Sequence, residues 1–405
     1  MTRRNFIGGT MAALPLAAIG ANAAETNTPA VKPPEYARKI KIGIIGGGSR
    51  GNWISGFFKK HGGYTIHAMA DYFENVADKS GEAMGVDKAR RFSGLSGYKK
   101  LIASGVEAVA IEDVPYFYPE QAKAAIEAGL HVYMAKPVAV DVPGTMMVGE
   151  AGKLATQKKL VMLVDYQLPT DPAIIEIGKR IREGGMGAFS HIMSLGFAWH
   201  AWPDPALGKT IESRLQNQIW LSDTGLSGDT IVSYDIHLID GLVYLLGKRP
   251  VSACGYSRTV RAKVNGDRTD TASVIYELEG GATWTHVTQS LDNEWDVTTL
   301  SGKIFGMTAT AHVQYGGKVY LKGGEKNYVG KVGDVFVEGV ERNIATFYRN
   351  ITEGHFENAV VQRAVDGHLT AILGREAAAR RRYLTMDELI KENKRLEVNL
   401  TGLKA

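Results

Sequence analysis

Four stretches of the chain hold residues whose types and spacing suit chemistry. Gly46, Gly48 and Gly51 form a Gly-x-Gly-x-x-Gly turn that carries Ser49 and Arg50. Glycines at this spacing allow a tight turn, a close approach of ligand to backbone, and close packing of a following helix. The first turn of that helix presents unpaired N–H groups, a setting for a pyrophosphate. Asp71 follows about twenty residues later, where a carboxylate accepts ribose hydroxyls and repels a 2′-phosphate. The set predicts a site for NAD, with NADP disfavoured. Lys136 precedes Pro137 at the end of the apolar run His131–Met134, and so falls at a strand's carboxyl end, where doubly wound folds bind ligands. Further on, Asp235, His237 and Asp240 lie close together, with His237 and Asp240 on one helical face, so that Asp240 is placed to orient the imidazole.

The elements that must position these residues are legible in the periodicity. Lys39–Ile45 reads as a strand ending at the glycine turn, and Arg50–His61 has helical spacing. Strand candidates at 64–70, 106–111 and 131–134 alternate with helices, including an Ala-rich one at 119–128, and a last helix–strand step spans 154–163. This alternation predicts a parallel, doubly wound sheet. After Gln167 the pattern changes. A helix at 174–183 and a strand at 189–197 precede strand candidates at 251–260, 271–278, 283–289, 295–301 and 308–315, which predict an open, mostly antiparallel sheet. Helical patterns at 340–353 and 362–382 close the chain. The expected fold class is therefore α/β, an N-terminal parallel sheet followed by an α/β domain with a large, mostly antiparallel open sheet. The expected divisions are a signal peptide at 1–24, a linker at 25–38, a nucleotide-binding domain at 39–167, a substrate and oligomerisation domain at 168–345 and a helical tail at 346–405.

The run Glu127-Ala-Gly-Leu-His-Val-Tyr-Met-Ala-Lys-Pro137 resembles the signature of the Gfo/Idh/MocA family (glucose–fructose oxidoreductase and inositol dehydrogenase relatives), an Ala-Gly-x-His-Val strand leading to Glu-Lys-Pro. The segment from Leu226 to Asp240 is similar to the one that brings that family's catalytic histidine to the nicotinamide. The resemblance extends over most of the chain after the signal. It implies a Rossmann domain and hydride transfer between a sugar, glycoside or cyclitol C–H and NAD, with His237 as general base and Lys136 stabilising the alkoxide while also touching the cofactor. Two departures stand out. Ala135 replaces the glutamate before Lys-Pro, and Ser233 occupies the position of the usual acid. Asp235 is the candidate replacement, although on a helix it points away from the direction of position 233.

Substrate candidates are Gln167, Arg214 and the aromatic pair Trp199 and Trp202, whose faces suit either stacking on a pyranose or packing in a core or oligomer. No His, Asp and Glu set has metal-ligand spacing, and Cys254 is the single cysteine, so neither a metal nor an intramolecular disulfide is expected. The formal net charge of +4 is mild and lacks an aromatic–basic pattern, so nucleic acid is not an expected partner.

At the N-terminus, Arg3-Arg4-Asn5-Phe6-Ile7 and a short apolar run ending near Ala21-Asn22-Ala23 read as a twin-arginine signal, too short for a stable membrane span. An exported protein has no free nicotinamide pool to draw on. The expectation is thus a periplasmic or otherwise exported enzyme that folds around a tightly bound NAD and engages the twin-arginine translocase. The resemblance adds an expected homo-oligomer. Two alternatives stay open: a redox-neutral NAD-dependent glycosidase or lyase that works by transient oxidation and elimination, and a non-catalytic sugar-binding relative.

Overall fold

The computed structural model describes residues 36, 38–198, 209–216, 218–260, 266–291 and 300–405. The expected signal, most of the linker, and Trp199 and Trp202 lie outside the described residues.

The first sheet has six parallel strands in the order β3-β2-β1-β4-β5-β6. They are β1 (Ile40–Ile45), β2 (Tyr64–Asp71), β3 (Arg91–Ser93), β4 (Ala108–Ile111), β5 (His131–Met134) and β6 (Met162–Val164). The chain order reverses beside β1, so a crevice opens at the carboxyl ends of β1 and β4, as expected for a doubly wound sheet. Ile42, Ile44, Val109, Ala110, Val132 and Tyr133 are all fully buried, the mark of parallel strands covered on both faces.

One covering layer comes from far down the chain. Ile54 and Phe58 of the helix Ser49–His61 share a core with Val340, Ile344 and Phe347 of the helix Val335–Glu353. That helix crosses the expected division between residues 345 and 346, and it packs on the first sheet rather than in a separate tail. The following helix, Ala359–Arg380, packs against the helix Val142–Gln157 of the first layer and against the second sheet.

The second sheet has nine strands, β14-β13-β12-β11-β7-β10-β9-β8-β15. They are β7 (Phe189–Ala198), β8 (Pro250–Arg258), β9 (Thr271–Leu278), β10 (Thr283–Ser290), β11 (Leu300–Gly306), β12 (Thr310–Gln314), β13 (Lys318–Lys322), β14 (Tyr328–Lys331) and β15 (Leu384–Thr385). Every pairing is antiparallel except β7 with β10. Alternate residues of β9 and β10 are buried under helices, and the opposite face stays open, with Met193 51% and Ile275 49% exposed. Among the described residues, no helix is long and apolar enough to cross a membrane.

Candidate functional site

The glycine turn has the geometry its sequence predicts. Gly46 sits at φ +93°, and a Cβ there would meet the Glu112–Asp113 backbone at 2.5 Å. At Gly51 a Cβ would fall 1.7 Å from the Gly46 carbonyl oxygen, so only glycine lets the helix start this close to the strand. Gly48 faces open space, and the helix Ser49–His61 has neither a side-chain cap nor an acidic residue in its first turn. Its N–H groups are left for an anion.

Asp71 lies across the turn at the end of β2. Its Oδ2 accepts from Gly47 N–H at 2.9 Å and its Oδ1 from Phe73 N–H at 2.9 Å. Burial and the neighbouring Asp113 push its carboxyl up to about 7. The turn and Asp71 line a cleft of about 930 Å³ that continues past Val114 and Tyr116 to Gln216, Gln218 and Trp220. An open glycine, an uncapped helix start and a carboxylate at the end of the second strand fit the phosphates and a ribose of a dinucleotide.

Arg50 also lines the cleft, yet its guanidinium is turned inward. Nη2 donates to Asp165 Oδ2 at 2.8 Å, Nε lies 3.4 Å from Glu112 Oε2, and the group stacks over Trp53 at 4.7 Å. Neither Glu112 oxygen has a hydrogen-bond partner, and burial lifts this carboxyl to about 8. Asp165 is bound more fully, accepting from Gln167 Nε2 at 3.0 Å and from Asn343 Nδ2 at 2.8 Å. These groups cluster at the carboxyl ends of β4 and β6.

Lys136 follows β5 in a cis Lys136–Pro137 step, and its Nζ donates to the Ser233 carbonyl at 2.7 Å. Burial, with Arg50 nearby, lowers its ammonium to about 7. Thus position 233 meets Lys136 through its backbone rather than through an acidic side chain. His237 sits one residue into the helix Ile236–Leu246, its ring 5.1 Å from that of Tyr315. Its Nδ1 is buried without a hydrogen-bond partner, and burial together with the Lys136 and Arg50 charges pushes the imidazole well below its usual range.

Four expected roles change. Asp235 is fully buried, and none of Asp235, Lys136 and His237 is among the residues that line the cleft. Asp235 Oδ2 bonds His286 Nε2 at 2.9 Å, while His286 Nδ1 meets Ser194 Oγ at 2.8 Å, all buried beneath β7 and β10. Gly196 makes room for it, since a Cβ there would lie 2.0 Å from Asp235 Oδ1. A π-helical turn spans Ile231–Asp235, and a separation of two residues along a helix already directs Asp235 away from His237. Asp240 does not orient His237; it is ion-paired with Arg363 Nε at 3.0 Å, tying two helices together.

Gln167 is buried rather than open to a substrate, and its Oε1 accepts from Tyr315 O–H at 2.7 Å. It therefore positions the ring beside His237. Arg214 is ion-paired with Asp223, while Gln216 and Gln218 of the same segment line the cleft. Ser49 is exposed at the cleft, as expected.

Sequence reasoning passed over Glu112, Asp165, Asn343 and Tyr315. A usable signal existed for the first two: each directly follows or nearly follows an apolar strand, at the edge where ligands bind.

Residues 174–312 match the family model described as the GFO/IDH/MocA C-terminal domain. Levoglucosan dehydrogenase of Pseudarthrobacter phenanthrenivorans is 26% identical over 216 residues, 52% of this chain and 52% of that protein. The chain thus spans about half the length of the curated relatives it matches. The fold matches a levoglucosan dehydrogenase solved with NADH and levoglucosan at TM-score 0.70 and 17% identity, covering 86% of this chain and 100% of the other. It matches an inositol dehydrogenase homologue solved with NAD+ from Azotobacter vinelandii at TM-score 0.70 and 17% identity, covering 86% and 98%. The structural likenesses establish a shared fold, and the comparisons together support the Gfo/Idh/MocA family.

Proposed function

We propose that the chain is an NAD-dependent oxidoreductase of the Gfo/Idh/MocA type, acting on a secondary alcohol of a sugar, glycoside or cyclitol. The observation that carries this reading is Lys136, held at the carboxyl end of β5 by the Ser233 carbonyl, with its charge acting on the imidazole of His237. The cleft lined by the glycine turn and Asp71 accompanies it. The names of the related dehydrogenases point to the same substrate class.

Bound NAD supplies the hydride acceptor. His237 is neutral at pH 7 because its imidazole lies well below the usual range, so it accepts the hydroxyl proton as the C–H bond breaks. Lys136, lowered to about 7, donates to the same oxygen and stabilises the developing charge. Tyr315, fixed by Gln167, sets the imidazole's orientation in place of Asp240.

Export by the twin-arginine route with NAD tightly held belongs to the same proposal, supported by Arg3-Arg4 beside an apolar run and by the mismatch between an exported enzyme and a cytoplasmic cofactor pool. So does assembly into a homo-oligomer through the open face of the second sheet, where Met193 and Ile275 are exposed.

The test is to purify the protein, release any co-purified NAD by heat, and screen sugars and aryl glycosides with and without an electron acceptor. Net oxidation that requires the acceptor, lost in Lys136→Ala while the cofactor stays bound, is the expected result. Glycoside cleavage without net NADH would replace it with the redox-neutral cycle. Sugar binding without any turnover and unaffected by Lys136→Ala would leave only a binding protein.

A further inference from the structure

The cleft has a wall made from the last stretch of the chain. After the helix Met386–Glu392, residues 393–405 run without helix or sheet pairing, with Leu396, Val398 and Leu400 half-buried and Arg395, Glu397 and Asn399 exposed. Arg395 and Leu400 line the same cleft as the glycine turn.

The segment is fastened at successive points, each to a residue that also lines the cleft. Leu396 N–H donates to Asp141 Oδ2 at 2.9 Å, just after the Lys136 loop. Val398 packs against the same apolar cluster as Tyr116, beyond β4. Lys404 N–H donates to the Tyr72 hydroxyl at 3.1 Å, and the Lys404 carbonyl accepts from Leu95 N–H at 3.0 Å. Tyr72 directly follows Asp71, and its own O–H donates to Glu212 Oε1 at 2.9 Å. Between these points Val398, Leu400 and Leu403 pack with Phe73, Phe117 and Trp220.

The anchors follow the order of the strands in the first sheet, from the β5 side past β4 to β2 and β3. A dinucleotide lying along the cleft from Asp71 past Tyr116 toward Asp141 follows that direction. We propose that the segment 393–405 is a cofactor-retaining strap: Arg395 and Leu400 contact the bound dinucleotide, and the cofactor leaves only when the strap lifts from Tyr116 and Tyr72. This rests on the dinucleotide reading of the cleft. It supplies a physical means for keeping NAD where none can be replaced, since retention is set mainly by the rate of leaving.

NADH serves as the probe, loaded on the full chain and displaced by excess NAD+ while its fluorescence is followed. Arg395→Ala and a variant ending at Asn393 are expected to release NADH about tenfold faster or more, with little change in the rate of binding. Circular dichroism checks that each variant folds. On the unaltered chain, hydrogen exchange at the Leu396 and Lys404 amides is expected to slow when NADH is added, a measurement that needs no variant. Equal release rates with unchanged exchange at these amides would overturn the strap while leaving the cofactor site standing. Absence of NADH binding by the full chain would overturn the dinucleotide reading and the strap with it.

Discussion

At the scale of single residues, the site is governed by groups whose protonation is set by burial. Lys136 lies at about 7, and the donor form it contributes is the protonated one. The rate constant kcat/KM is therefore expected to be full below that value and to fall about tenfold per unit as pH rises well beyond it. No second limb is expected between pH 6 and 7, because His237 stays neutral there. A Lys136→Arg enzyme that retains measurable activity should lose the fall. Glu112 makes a separate prediction about stability. Its folded value of about 8 lies above the usual 4.5, so the folded chain holds a proton that the unfolded chain releases between those limits. Stability from this group is complete below pH 4.5 and declines as pH rises to 8. Glu112→Gln removes the titration, and its melting temperature measured from pH 5 to 8 should fall less than that of the unaltered protein. An equal fall would mean that Glu112 remains charged in the fold.

At the scale of elements, the parts that local rules determine were the legible ones. The strand, glycine turn and helix from Ile40 to His61 could be read because Gly46 and Gly51 answer steric demands that only glycine meets. The strands Thr271–Leu278 and Thr283–Ser290 followed from simple alternation. The strand β3 and the short strands β13 and β14 were not seen, being brief and rich in charge or glycine. The roles of Asp235 and Asp240 were misread for a different reason. His286, 51 residues away, holds Asp235, and Arg363, more than a hundred residues away, claims the Asp240 carboxylate. No local periodicity contains either fact. The Asp240–Arg363 pair ties the helices Ile236–Leu246 and Ala359–Arg380, and Asp240 is fully buried. Removing the cation by Arg363→Ala is expected to cost about 3–5 kcal/mol in urea unfolding, because a buried carboxylate loses its partner. Asp240→Asn in the same background should recover part of the loss, which distinguishes a stranded charge from simple loss of packing.

At the scale of the whole molecule, the two sheets divide the work. The first supplies the glycine turn, Asp71 and Lys136; the second layer supplies the helix with His237 and the ring of Tyr315. A site assembled this way depends on how the layers are held together: Gln167, bonded to both Asp165 and Tyr315, links them, and Asn343 secures Asp165 within the first layer. The open face of the second sheet carries the prediction about assembly. Met193→Asp is expected to shift the mass measured by light scattering from an oligomer to a single chain, leaving helix and strand content unchanged. A mass that does not move would exclude this face as the interface.

The helix Val335–Glu353 has one more effect, on the order in which the protein is made. Val340, Ile344 and Phe347 complete a core begun by Ile40, Ile42 and Ile44, nearly three hundred residues earlier in synthesis. Until that helix emerges from the ribosome, one side of the first sheet is covered only in part, by Ile54 and Phe58 of the helix Ser49–His61. The glycine turn is thus translated early, while the core behind it is completed late. A fragment cut at Gln167 would lack Val340, Ile344 and Phe347, so the first sheet is not a self-contained, transferable part.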